Sequence, residues 1–282
     1  MIRLLPIVTS DRIASLDIPV AGFDSESSCV CLADIYDEIG ELRAVYLKVT
    51  MPDKTILAGD LLRWHLAAPM NIPQPIEAFL CQVPLVMVEQ LYPHIPWREG
   101  WQRDLIPGWA TTQLVSAAPP MPIVPHGDPV LQAALQKWRW LLPTMALDEW
   151  GENIDDNISN LIELVQPNGS PDFATLDGGN FLGGDCWTLE SIRALWPSAK
   201  SGRRRSKLGK AAFGAMLPEY ALERMLARAA HHAAALQVCA PYLHFWLPEM
   251  LDDAELAELI MQCLCARSNM IWLRTRLAHA YS

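Results

Sequence analysis

The sequence predicts an α+β fold in two lobes, a strand-rich lobe over residues 1–90 and a helical lobe over residues 91–282. Three observations carry that prediction. Apolar residues alternate with period two through much of the first ninety positions, helical spacing dominates from Val130 onward, and one short hairpin interrupts the helical part near residues 161–176. Hydrophobic residues make up 51% of the 282 and charged residues 19%, which places the chain among packed globular proteins rather than disordered ones.

Taken in order, residues 28–36 alternate and are rich in strand formers, as are residues 42–49. The polar Asp37-Glu38-Ile39-Gly40-Glu41 between them predicts a hairpin. Residues 58–68 carry Leu61, Leu62, His65 and Leu66 at helical spacing, and Pro69 stops the run. Pro73 and Pro75 mark an extended connection, followed by two short apolar strands at 78–81 and 85–89. Residues 92–129 are dense in Pro and Trp without clean periodicity and read as a long, partly irregular connection. A helix follows over 130–142 and continues into 146–150. After a polar loop, strands at 161–165 and 173–176 flank the turn 167–171. From Leu189 the chain reads as helical, with Ala-rich segments at 220–236 and 254–278.

The polar loop is the chemical centre of the sequence. Asp155 and Asn160 stand five positions apart on it, and Asp177 closes the next strand ahead of Gly178-Gly179. Asp155 is the candidate that accepts or orients a substrate hydroxyl, and Asn160 with Asp177 the candidate oxygen ligands for Mg²⁺. An Asn/Asp-rich turn beside an Asp-Gly-Gly turn is the bland alternative. Lys48 lies within an apolar strand, where it either faces out from a half-exposed surface or holds the phosphates of ATP. Asp60, at the start of the next helix, is the acid placed to pair with it, or a simple helix N-terminal acid. Val88 and Glu89 end an apolar strand where backbone groups could meet the adenine edge, or where a core strand merely turns. Ser25, Ser27 and Ser28, on the segment 22–28, are candidates to cap phosphates.

The loop resembles the Asn-x-Asp-x-(His/Asn)-x-x-Asn motif of HipA-like kinases, matched by Asn153, Asp155, Asn157 and Asn160, and Leu176-Asp177 resembles that family's metal-binding turn. Tyr46-Leu47-Lys48-Val49 is similar to its phosphate-binding strand, Gly59-Asp60-Leu61-Leu62 to its acidic helix, and residues 86–91 to its hinge. The likeness covers about residues 20–185. It implies a protein-kinase-like fold, ATP and Mg²⁺ as cofactors, and transfer of the γ-phosphoryl group to a Ser/Thr hydroxyl of a protein substrate. A toxin–antitoxin setting with an antitoxin-like protein partner is a further implication. The sequence departs from the family pattern in three places: Asn157 stands where His is frequent, Gly178-Gly179 follow Asp177, and the segment 22–28 holds Asp24 and Glu26. The departures at Asp60 (shorter than the usual Glu), Asn157 and Gly178 motivate a second expectation, an inactive pseudokinase or adaptor. A small-molecule kinase differs only in its acceptor.

The net charge of −10 and pI near 5.1 argue against general nucleic-acid binding, and the basic run Arg203–Lys210 reads as a solvated loop. The chain offers neither the ~20 uninterrupted apolar residues of a membrane span nor a signal-peptide core, so the cytoplasm is the expected compartment. Four of the seven cysteines form two Cys-x-Cys pairs, Cys29/Cys31 and Cys263/Cys265, which with no Cys-x-x-Cys spacing read as buried free thiols, and His231, His232 and His244 read as packing rather than zinc ligation. The Trp residues read as core.

Overall fold

The computed structural model describes residues 5–19, 28–51, 55–99, 101–114, 128–156, 158–164, 172–175, 177–196, 206–214 and 216–280. Ser25, Ser27, Asn157, Leu176, the turn 167–171 and Arg203 to Arg205 lie outside the described residues. The chain divides into two compact units. One, strand-dominated, takes Arg3–Leu57 and Pro75–Val115; the other, helix-dominated, takes Ala58–Gln74 and Ser116–Ser282.

The first unit is built on one six-stranded sheet. Its strands are β1 (Ile7–Val8), β2 (Ile13–Pro19), β3 (Ser28–Tyr36), β4 (Leu42–Thr50), β5 (Ala78–Pro84) and β6 (Leu105–Thr112), in the order β1-β5-β6-β4-β3-β2. Neighbours are antiparallel except β1 and β5. The expected hairpin is present, with β3 and β4 in unbroken register from Ser28↔Thr50 to Tyr36↔Leu42. Asp37 shapes its turn by accepting from the amides of Ile39 (3.0 Å) and Glu41 (2.9 Å), and Gly40 supplies a φ of +79°. Alternation sorts the faces: Cys29, Cys31, Ala33, Ile35, Val45, Leu47 and Val49 are buried in one core with Trp97 and Tyr92.

Two expectations fail in this unit. Residues 85–89 form no strand; Leu85–Leu91 is a helix, α2, beginning after Pro84. Leu85 and Val88 are its buried residues, while Val86 is exposed, so the apolar run follows a three-residue period rather than two. The region 92–129 is also not merely irregular, because it supplies β6, which lies between β5 and β4. Pro107 is tolerated there because β4 pairs with β6 only from Gly108 to Thr112, so the proline nitrogen owes that neighbour no hydrogen bond.

In the second unit, α1 (Ile56–Ala67, grouped here from Ala58) is followed by α3 (Pro129–Lys137) and α4 (Leu141–Trp150). Next come a two-stranded ribbon of β7 (Leu161–Leu164) and β8 (Asp172–Thr175), then α5 (Leu189–Leu195) and α6 (Lys207–Phe213). The unit ends with α7 (Glu219–Ala229), α8 (His232–Leu251), α9 (Ala254–Arg267) and α10 (Met270–Ala280). The ribbon and the late helices are as expected. The long helical segments are each broken once, at Trp138 to Trp140, at Ala230 to His231 and at Ser268 to Asn269. From Pro143 to Trp150 every residue of α4 is buried, so this helix is the post on which the polar loop stands. Trp97, Trp109, Trp138, Trp150, Trp187 and Trp246 are core residues, as expected. Cys29, Cys31, Cys81, Cys239 and Cys263 are buried, but Cys186 and Cys265 are exposed, against the expectation for Cys265. Among the described residues no helix is long and apolar enough to cross a membrane.

Candidate functional site

Within the helical unit, two loops carry the polar residues singled out in the sequence, and backbone bonds lace them together. The Leu182 amide donates to the Gly151 carbonyl (2.7 Å), Gly183 to Glu152 (3.0 Å) and Ile154 to Asn180 (3.2 Å). Gly151 is the closest point of this lacing. A Cβ at that position would fall inside the ring of Phe181, so only glycine lets α4 end here. The ribbon register Leu161↔Thr175 sets Asn160, one residue before β7, and Asp177, two after β8, at the same end of the ribbon.

Each polar residue of the first loop has a separate task. Asn153 accepts from the Asp155 amide (3.1 Å) and donates to the Asp148 carboxylate (3.2 Å), which shapes the loop. Asn160 donates its amide to the Asp155 carbonyl (2.7 Å), leaving its carbonyl oxygen as the donor atom for a cation. The Asp155 carboxylate, about one-third exposed, forms an ion pair of 3.1 Å with Lys207. Asp156 is the buried neighbour. It accepts from the amides of Lys207 (3.0 Å) and Leu208 (3.4 Å), fixing the start of α6 to the loop. Burial, with the nearby Asp148 charge adding to it, pushes the Asp156 carboxyl up to about 6. In the second loop Asp177 accepts from the Gly179 amide (2.8 Å), a turn closed by its own side chain.

Helix α1 meets both loops. The Asp60 carboxylate accepts from the Gly178 amide at 2.8 Å, and a Cβ on Gly59 would lie 2.8 Å from the Gly178 carbonyl oxygen. A Cβ on Gly178 would in turn lie 2.5 Å from the Arg63 Cβ. Gly178, the first glycine after Asp177, therefore has a steric cause, the close seating of α1 on this turn. Arg63, itself buried, donates to Asp148 (3.3 Å) beneath the first loop and to Thr175 Oγ1 (2.8 Å) before the second. One guanidinium thus registers the two loops. Its sequence signal was an arginine amid Leu61, Leu62 and Trp64, since a charge inside an apolar helix face needs a partner.

The root of the first loop is tied to the late helices. Trp150 stacks on His232 at 4.4 Å and donates to the Leu264 carbonyl (3.0 Å); Glu149 pairs with Arg276 (2.9 Å) and Glu152 with Arg267 (2.9 Å). Burial, reinforced by His231, pushes His232 from 6.5 down to about 3, so it is neutral in the folded protein. The unfolded chain takes up that proton first. The stability held by this site is complete above pH 6.5 and is lost as pH falls toward 3. Burial pushes Glu149 the other way, to about 7, and its contribution is lost as pH rises through 7. Replacing His232 by Phe keeps the stack and removes the proton. We expect wild type to lose about 2 kcal/mol more than His232→Phe between pH 6.5 and 5, read from urea unfolding at the two pH values.

The remaining predicted residues belong to the sheet unit. Lys48 is half-buried on β4, opposite Val30 on β3 and Trp109 on β6, on the face away from Val45, Leu47 and Val49. Ser28 begins β3 and is buried. Val88 and Glu89 lie in α2, not in an extended hinge. The Val88 carbonyl accepts from the Tyr92 amide (2.8 Å), because a helix spends its backbone groups along its own axis. The Glu89 carboxylate pairs with Arg98 (2.9 Å) at the rim of a cavity of about 400 Å³ lined also by Pro93, Ile95 and Trp97. The chain leaves the sheet unit for the last time after β6, at Gln113 to Val115. The structural roles of Lys207 and Asp156 do not show in the sequence: Asp156 reads only as a substitute for Asp155 that does not stand five before Asn160, and Lys207 lies in a run that reads as solvated.

Among the described residues no group of three or more His, Cys, Asp or Glu side chains is placed to hold a metal ion. One amide oxygen and one carboxylate, the set offered by Asn160 and Asp177, suit Mg²⁺ that arrives with phosphate oxygens and water. In comparisons with known proteins, no family model and no curated protein matches the chain.

Proposed function

We propose that the chain is an ATP- and Mg²⁺-dependent phosphotransferase of the HipA-like kinase type, acting on a Ser/Thr hydroxyl of a protein. One observation carries the reading: the loop bearing Asp155 and Asn160 and the turn bearing Asp177 are laced into one rigid arrangement at one end of the β7–β8 ribbon. Asp155 orients the acceptor hydroxyl, and Asn160 and Asp177 hold the cation that would neutralise phosphate charge. Lys48, on a central strand ahead of α1, is the proposed phosphate contact; Asp60 steadies the Asp177 turn through the Gly178 amide. An antitoxin-like protein partner belongs to the same reading. Phosphoryl transfer asks mostly for positioning and charge, which rigid loops provide.

A second reading, an adaptor that keeps the fold without turnover, draws on one contact: the Asp155 carboxylate is already engaged by Lys207. Labelled ATP, supplied to the protein alone and in cell lysate, tests between them, together with thermal unfolding with and without MgATP. A bound ligand at a hundred times its Kd adds about 2.7 kcal/mol to stability. We expect both a raised Tm and a labelled acceptor. A raised Tm without label would favour the adaptor, and neither signal would end the kinase reading.

A further inference from the structure

We infer that Lys207 is a further catalytic residue of this site, a cation delivered by α6 to the transferring phosphoryl group. The inference rests on the phosphotransferase reading and goes beyond it, because it assigns a role to part of the basic run that the motif does not include. Three features support it.

The first is position. Lys207 Nζ lies 3.1 Å from Asp155 Oδ1, so a hydroxyl oriented by that carboxylate, and the phosphorus it attacks, come within a few ångströms of the ammonium. The second is the way the lysine is held. Its own amide and that of Leu208 donate to the buried Asp156 carboxylate, and the Ser206 hydroxyl accepts from the Gly209 amide (2.8 Å), capping the same turn. The backbone of Lys207 is therefore fixed to the loop that carries Asp155. The third is exposure. The two side chains are 37% and 32% exposed, and a pair that wet adds little to stability, yet the fold immobilises its backbone on a buried acid. Anchoring of that kind is what a positioned charge requires and a decorative surface pair does not.

The chemistry fits a lysine. In the transfer, the acceptor oxygen forms a bond to the γ-phosphorus while its proton passes to Asp155. The bond from that phosphorus to the β–γ bridging oxygen breaks, and ADP leaves with the electron pair. Charge spreads over the three equatorial oxygens in between, and a compact ammonium beside them stabilises that state without gaining or losing a bond.

Lys207→Met and Lys207→Arg test the inference against wild type, with kcat and the KM for ATP measured on whichever acceptor wild type labels, itself included. Tm measured with and without MgATP confirms that each variant is folded and binds nucleotide. We expect Lys207→Met to lower kcat about 10- to 100-fold, with the KM for ATP changed less than about threefold. Lys207→Arg should recover part of the loss. If wild type transfers phosphate and Lys207→Met matches it, the inference falls and the phosphotransferase reading stands. A faster Lys207→Met also overturns it, making the pair an inhibitory latch. If wild type neither labels an acceptor nor gains stability from MgATP, both fall together.

Discussion

Asp155→Ala and Asp177→Ala are each expected to reduce phosphoryl transfer by at least about 100-fold while leaving the protein folded. The two losses should differ in kind. Asp155 touches the acceptor side, so its removal should lower kcat and leave the MgATP-induced rise in Tm intact. Asp177 serves the metal, so its removal should diminish that rise as well. The Asp155–Lys207 ion pair is about one-third exposed, and the bond Asp177 accepts from the Gly179 amide is worth about 1 kcal/mol, so losing either of these contacts alone should leave the fold standing. Asp156→Ala is the control that separates these roles from mere acidity. It removes the buried carboxylate that holds the start of α6, so it should lower Tm and, by loosening Lys207, lower kcat less than Asp155→Ala does. Transfer at the wild-type rate in either Asp155→Ala or Asp177→Ala would overturn the assignment.

The second large effect is steric. Gly151→Ala is expected to destabilise the protein by at least about 3 kcal/mol, because the new methyl group would occupy the space of the Phe181 ring. For a chain of this size that is a fall in Tm of roughly 6 to 12 °C. Relief has few routes. Phe181 is fully buried, and its carbonyl accepts from the Trp187 indole (2.9 Å) while its amide donates to Gly178 (3.0 Å). Trimming the ring should recover part of the loss, so Gly151→Ala combined with Phe181→Leu is expected to be less unstable than the sum of the single changes. Strict additivity in that cycle would show that the clash is absorbed elsewhere.

Much of this arrangement could be read in the sequence where a pattern is local. The β3–β4 hairpin announces itself through alternation on both sides of a polar turn, and the order of Asp155, Asn160 and Asp177 marks out the two loops. What escaped depended on distant neighbours. Leu85–Leu91 is a short apolar run whose period is ambiguous, and only its buried Leu85 and Val88 against an exposed Val86 identify a helix. Leu105–Thr112 hides a central strand behind Pro107, acceptable because β4 stops pairing at Gly108, and behind Gly108, where a Cβ would crowd Leu47 and Val83. Arg63 and Lys207 looked like isolated charges because their acids lie 85 and 52 positions away. The glycines at 59, 151 and 178 carry no chemistry of their own, and their necessity is visible only once the opposing atoms are known.

The division of the chain into units also bears on its biosynthesis. Ala58–Gln74 leaves the ribosome early, flanked by strands of the other body, yet its carboxylate and guanidinium find their partners at Asp148, Thr175 and Gly178. Until those residues are synthesised, Arg63 and Asp60 wait without their final contacts. The helical body therefore cannot finish folding as an independent late product; it must retrieve a helix made a hundred residues earlier. Nascent chains released before the second loop should be caught by chaperones with α1 undocked.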